Sequence, residues 1–263
     1  MVNLLAAAAL AAATPAVAPP PPPAQPAMFV VHDADTTIYL FGTFHALDGD
    51  HGWFDRGVRS AFEQSNELVL ETLLPEGPSA PQQLRQAMPP VTPSASFLAT
   101  TRMAITAGRS QGMQVDNGAD MVLRHVAEAE GKYVEGLETL QFQLNMFNKM
   151  PPAPTPAVAM KAGGPAGQQP MQALSRTMTE MQSAWKRGDQ SVFVHLLDQL
   201  RTGSPDTYRM MFTERNARWA DWIAARMQTP GTVFVAVGAG HLAGKDSVLV
   251  RLAEKGIPSQ RVN

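Results

Sequence analysis

A β-rich run ending in Gly-x-x-His occurs near each end of the chain. Thr37 to Phe41 leads into Gly42-Thr43-Phe44-His45, and Thr232 to Val237 leads into Gly238-Ala239-Gly240-His241. Each histidine then sits just past the end of a strand, and in open α/β sheets ligands bind outside the carboxyl ends of the strands. Glycine allows a sharp backbone turn there and leaves room for a ligand close to the chain. A third apolar run, Leu68-Val69-Leu70, ends in Glu71. If these three strands are parallel neighbours, His45, Glu71 and His241 converge on one edge of one sheet.

The intervening pattern fits such a sheet. Met28 to Val31 and Thr37 to Phe41, separated by His32-Asp33-Ala34-Asp35, read as a hairpin. Phe54, Val58, Ala61 and Phe62 recur at helical spacing, so residues 53–65 read as an amphipathic helix before the Leu68 strand. Hairpin, helix, strand opens a layered α/β (α+β) arrangement. Leu74 to Pro93 reads as Pro-rich and then helical. Asp116 to Ala129 reads as a helix, Lys132 to Val134 as a short strand and Leu140 to Asn148 as a helix. Residues 151–170 carry Pro and Gly throughout and read as a surface loop. Helices follow over Met171 to Lys186, Asp189 to Leu200 and, continuously, Pro205 to Met227, the last opened by Ser204-Pro205-Asp206. Asp246 to Lys255 reads as a helix and Gln260 to Val262 as a last strand. Residues 28–263 make one domain with a helical insertion in its middle.

Composition narrows the chemistry. With no cysteine among 263 residues, disulfides, Cys-type zinc sites, iron–sulfur clusters and a thiol nucleophile are excluded. The formal charge of −2, without any Lys/Arg run, argues against nucleic acid as a partner. There is no Gly-rich phosphate loop and no Gly-x-Ser-x-Gly elbow. The first 27 residues read as a signal peptide and Ala/Pro-rich linker. Leu4 to Ala13 is apolar but too short to span a bilayer, and Ala16-Val17-Ala18 has the small-x-small form of a cleavage site. The absence of Lys or Arg before the run argues against a signal peptide and for the alternative, a disordered Ala/Pro leader on a cytosolic protein, while Pro19 after the site points to other cut positions, such as after Ala13 or Ala27. The expectation is an exported protein, periplasmic or secreted, with no membrane helix after the leader.

Two imidazoles and a carboxylate suit zinc, cobalt or manganese, and a face with open coordination positions is what a hydrolytic metal needs. Glu71 fits three roles: metal ligand, general base, or salt-bridge partner of an arginine such as Arg215. The histidines also fit plain hydrogen bonding to neighbouring loops. Glu138 reads either as a second carboxylate of the site or as an acid favoured at a helix start. Asp48, Asp50 and His51 read as a polar turn more readily than as further ligands. The many methionines, Met178, Met181 and Met211 among them, read mainly as core, with a Met-lined peptide groove as the alternative.

Ile38 to His45, IYLFGTFH, resembles the opening motif of the TraB/GumN family, which includes the PrgY pheromone-shutdown proteins and the animal Tiki proteases. Leu68-Val69-Leu70-Glu71-Thr72 resembles its second motif. Gly136-Leu137-Glu138-Thr139 with Gln141 and Gln143 resembles a third. Glu214-Arg215-Asn216 with Trp219 resembles the helix before the last motif, and Phe234 to Gly244, FVAVGAGHLAG, is the most specific match. The matches run in family order from about residue 28 onward. The resemblance implies a mixed sheet surrounded by helices. From the Tiki branch it implies metal-dependent peptide-bond hydrolysis supported by manganese or cobalt, with His45, His241 and Glu71 at its centre. Arg215 would orient Glu71 or stabilise an anionic intermediate. The competing expectation is a non-catalytic envelope protein that holds a metal, haem or a peptide at the same edge.

Overall fold

The computed structural model describes residues 25–87, 95–150 and 168–263. Most of the leader and most of the Pro/Gly segment at 151–170 lie outside these residues. The described part of the first region begins at Gln25, and Ala27 is already buried, its carbonyl accepting from Gly42 N–H. The fold's contacts therefore start a few residues before Met28.

The strands are β1 (Met28–His32), β2 (Thr36–Thr43), β3 (Glu67–Thr72), β4 (Tyr133–Glu138), β5 (Gly231–Gly238) and β6 (Gln260–Arg261). They form one mixed sheet in the order β4-β3-β5-β2-β1-β6. β1 runs antiparallel to β2 and β6, while β4, β3, β5 and β2 are mutually parallel. The hairpin and the parallel placement of the three site-bearing strands are both present. β5 (GTVFVAVG) sits at the centre of the parallel part, which explains its continuous apolar run: such a strand is covered on both faces.

The pleat divides the core. Val233, Val235 and Val237 face one layer with Ile38, Leu40 and Val69; this layer is closed by Trp219, Ala220 and Ile223 of α9 (Glu214–Arg226) and Leu252 of α10 (Val248–Glu254). Phe234 and Ala236 face the other layer with Phe41, Leu68 and Leu70. That layer is covered by Phe62 of α1 (Arg56–Gln64), Leu123 of α4 (Ala119–Ala129), Trp185 of α6 (Gln168–Lys186) and Phe193 of α7 (Ser191–Gly203). Trp185 also donates its indole N–H to Gly42 O at 2.6 Å, which ties α6 to the end of β2.

The remaining helices are α2 (Ala80–Ala87), α3 (Ala95–Arg109), α5 (Leu140–Lys149) and the single turn α8 (Pro205–Tyr208). The helical insertion is the stretch from α5 to α9 between β4 and β5. Three details differ from expectation. Helix α6 begins at Gln168, inside the segment read as loop; Pro170 is tolerated because the first turn leaves its N–H groups unpaired anyway. α3 has no counterpart in the sequence reading. The helix expected over Pro205 to Met227 is interrupted by a π turn at Arg209–Thr213. Among the described residues, no helix is long and apolar enough to cross a membrane.

Candidate active site

The strand register brings the three expected side chains to one edge. Thr43 pairs with Gly238 across β2 and β5, and Leu70 pairs with Ala236 across β3 and β5. His45, Glu71 and His241 therefore sit together over the end of β5. Glu71 Oε1 accepts from Gly238 N–H at 2.7 Å, and Glu71 Oε2 accepts from Arg215 Nη2 at 2.8 Å. His241 Nε2 lies 3.7 Å from Glu71 Oε1 and 3.3 Å from Arg215 Nη1. The salt bridge to Arg215 foreseen for Glu71 is present, inside the cluster rather than instead of it.

Glycine at this edge supplies room, and the chain turns after Gly238 into a 3-10 turn at Ala239–Leu242 without a left-handed backbone. None of Gly42, Gly238 and Gly240 has a positive φ. A Cβ at Gly238 would stand 3.0 Å from Glu71 Oε1 and 3.3 Å from His45 Nε2. At Gly42 it would press on Ala239 Cα at 3.1 Å, and at Gly240 on the Phe212 ring at 3.2 Å.

Each histidine is held by its outer nitrogen. Asn216 donates its side-chain N–H to Asp246 O at 2.7 Å, which turns its Oδ1 toward His241 Nδ1 at 2.6 Å. His241 must donate there, so the lone pair of its neutral ring lies on Nε2, facing Glu71 and Arg215. His45 Nδ1 lies 3.2 Å from Asp120 Oδ2, which leaves Nε2 directed at the space beside Gly238. Asp120 is the second residue of α4, where the helix dipole favours a negative charge. That helix start is docked on the His45 loop: Ala119 N–H donates to Phe44 O at 3.0 Å, and a Cβ at Gly118 would lie 2.5 Å from His45 O.

Behind the cluster, Arg215 (side chain 3% exposed) donates to both oxygens of Glu138 (4% exposed), from Nε at 3.1 and 2.9 Å. Arg218 adds a contact to Glu138 at 3.2 Å. Glu138 thus reaches the site only through Arg215. Asp48 and Asp50 both bind Lys186, at 3.1 and 3.0 Å, in the polar turn expected of them.

Burial opposes ionisation of Glu71, but the charges of His241, Arg215 and His45 together with the Gly238 N–H bring its carboxyl down to about 2. Burial drives His241 down to about 3. His241 is therefore neutral at pH 7, and the Arg215 guanidinium, the charged His45 ring and the Gly238 N–H are what then keep Glu71 ionised. The recess walls work against charge on His45, and Asp120 outweighs them, lifting the ring to about 9. That ring remains 58% exposed through the mouth of the recess.

The recess is a cavity of about 660 Å³ floored by Thr43, His45, Glu71, Gly238 and His241. Met178, Met181 and Met211 line its walls, while Met28, Met113, Met146 and Met227 are buried in the core. Asp120 and Asn216 were not anticipated as site residues. Asn216 left a readable trace: Arg215-Asn216 falls on the face of α9 that also carries Trp219 and Ile223, where helical spacing calls for apolar side chains. Asp120 left none, since an acid in a first helical turn is commonplace.

A family model described as the TraB/PrgY/gumN family matches residues 27–96 and 84–261. The chain belongs to this family. The matched residues contain both Gly-x-x-His segments, Glu71, Glu138 and Arg215. No curated protein and no solved structure matches the chain at a significant level.

Proposed function

We propose that this member of the TraB/PrgY/GumN family is an exported, metal-dependent hydrolase of peptide bonds or related amides in the bacterial cell envelope. One observation carries the reading. Two histidines from opposite ends of the chain are each fixed at Nδ1, by Asp120 and by Asn216, so that His45 Nε2 is directed at the space beside Gly238, where Glu71 Oε1 also lies, and His241 Nε2 faces Glu71 and Arg215. A hydrogen-bonded outer nitrogen is the usual support of a metal-ligating histidine.

The donor set, two imidazole Nε2 atoms and one carboxylate, would suit a divalent ion such as manganese, cobalt or zinc that displaces the proton His45 carries at pH 7. Among the described residues, no group of three or more His, Asp or Glu side chains is placed to hold a metal ion as it stands, and the Arg215 guanidinium stands against Glu71 and His241. His45, His241 and Glu71 would hold the ion. When bound, it would supply Lewis-acid polarisation of an amide carbonyl and a lowered pKa for attacking water. Arg215 holds the orientation of Glu71 and places positive charge where a carbonyl oxygen would gain negative charge. Glu138 and Arg218 keep that guanidinium in place from behind.

The second reading is a non-catalytic envelope protein that binds a ligand at the same edge. It draws on the Arg215 contacts, which already satisfy Glu71 and His241 without a metal. The deciding experiment is elemental analysis of the protein, purified without a metal-binding tag, alongside His45→Ala/His241→Ala. Near-stoichiometric metal that disappears in the double variant, followed by peptide cleavage with manganese, cobalt or zinc, is the expected result. Absence of metal in both proteins after add-back would remove the hydrolase reading.

A further inference from the structure

The cavity over the His/Glu cluster has walls that the chemistry at its floor does not require. Met178 and Met181 of α6, Leu196 and Leu200 of α7, and Met211 and Phe212 of the π turn all line it. All six are only half-buried. Their spacing on α6 and α7, three and four residues apart, is that of a single helix face. Three separate segments therefore turn apolar side chains toward one concavity. Apolar surface collected in this way, rather than scattered, marks a binding site.

Two further features concern what would fill it. The volume, about 660 Å³, falls within the range of about 300–1,000 Å³ typical of sites that enclose a drug-sized ligand. A single small polar substrate would leave most of it empty, whereas a short run of bulky residues would occupy it. The lining also includes the Gln143 amide. It can pair with backbone N–H and C=O groups, which a peptide has and an acyl chain lacks. The Met211–Phe212 wall belongs to a π turn, a distortion that recurs at functional sites. Methionine suits such a wall because its flexible thioether adapts to differing apolar shapes.

We propose that this cavity is a subsite for an apolar peptide segment, seating large aliphatic or aromatic side chains next to the amide presented to His45, Glu71 and His241. The substrate class is then hydrophobic peptide. This rests on the hydrolase reading for the word substrate, while the subsite itself is testable without turnover.

The full chain is titrated calorimetrically, without added metal, with N-acetyl-Leu-Phe-amide, N-acetyl-Ser-Asn-amide and octanamide. The Leu-Phe compound is expected to bind at least about tenfold tighter than the Ser-Asn compound, since one methylene in an apolar pocket is worth about tenfold or more. Leu196→Glu and Met178→Glu, checked for folding by thermal melting, are each expected to weaken Leu-Phe binding by about tenfold. Equal affinity for the two dipeptides overturns the subsite, as does undiminished binding in both variants. Should the variants fail to fold, the dipeptide comparison in the unaltered protein decides. Octanamide binding as tightly as the Leu-Phe compound overturns the assignment to peptides. Apolar-selective binding without cleavage under any metal would remove the hydrolase reading and leave the subsite standing. Cleavage without apolar preference would do the reverse.

Discussion

Gly238→Ala adds one methyl group at the point where the three side chains meet. The backbone there (φ −51°, ψ 135°) is one that alanine adopts freely, so the substitution carries no conformational strain. It stabilises by about 0.4–1 kcal/mol through the unfolded chain. Against this, the new Cβ lies 3.0 Å from Glu71 Oε1, so the carboxylate must retreat by a few tenths of an ångström from the Gly238 N–H it accepts at 2.7 Å. A hydrogen bond to a charged group contributes about 1.5–3 kcal/mol, part of which Glu71 keeps through Arg215. The balance is a net loss of about 1–2 kcal/mol, or a Tm lower by roughly 2–8 °C for a domain of this size. The same methyl stands 3.3 Å from His45 Nε2, so the space between the donors is filled. Calorimetric titration with manganese should then show affinity reduced by about tenfold or more, the scale of loss seen when support for metal ligands is disturbed. Gly42→Ala is the control. Its Cβ meets the backbone of Ala239, so it should destabilise by about 1–3 kcal/mol through overpacking while leaving the donors alone. Wild-type metal affinity in a folded Gly238→Ala protein would show that the three side chains do not act around this point.

Glu138→Gln keeps the shape of a buried partner of Arg215 and removes its charge. Urea unfolding should show a loss of about 2–4 kcal/mol with an unchanged m value, near the lower end of what breaking a buried ion pair costs; a loss under about 1 kcal/mol would mean that Glu71 and solvent suffice to neutralise Arg215. The pH dependence of Tm should fall away on the acid side. The neutral state of His241 contributes stability that is fully present above about 6.5 and is lost as pH falls toward about 3, and ionised Glu71 contributes stability present above about 4.5 and lost toward about 2. His45 has the opposite sign. Its contribution is complete below about 6.5 and is lost as pH rises through about 9, so Asp120→Asn should flatten the alkaline limb and leave the acid limb in place. An unchanged alkaline limb in that variant would separate Asp120 from His45.

The strands, their ends and the trio His45, Glu71 and His241 were legible because a period-two or continuous apolar run, cut off by glycine and a polar residue, is compatible with little besides a strand and its end. Their convergence followed from assuming parallel neighbours, and the strand register has that arrangement. What stayed hidden depends on contacts distant in sequence. Asp120 acquires meaning only when Gly118 lets α4 settle on the backbone of His45, more than seventy residues earlier in the chain. The π turn was invisible because the run from Pro205 to Met227 carries no glycine and no proline after its first residue to mark a break, and tertiary packing rather than propensity decides where a coil widens. α3 was missed for a similar reason: its Ala- and Thr-rich residues, Ala95–Arg109, show no sharp apolar stripe.

β5 lies between β3 and β2 in space, yet it is made after both and after every helix except α10. Before residues 231–238 emerge, β2 and β3 have no common neighbour, and Glu71 has neither the Gly238 amide nor His241 to rest on. The chain therefore cannot build its site in stages from the front. It must hold two apolar strands with open edges until the middle one arrives, which is both slow and exposed to mispairing. A product that stops short of residue 231 should accumulate as aggregate rather than as a partly folded domain, and any factor that shields strand edges during synthesis would act on this chain at that interval.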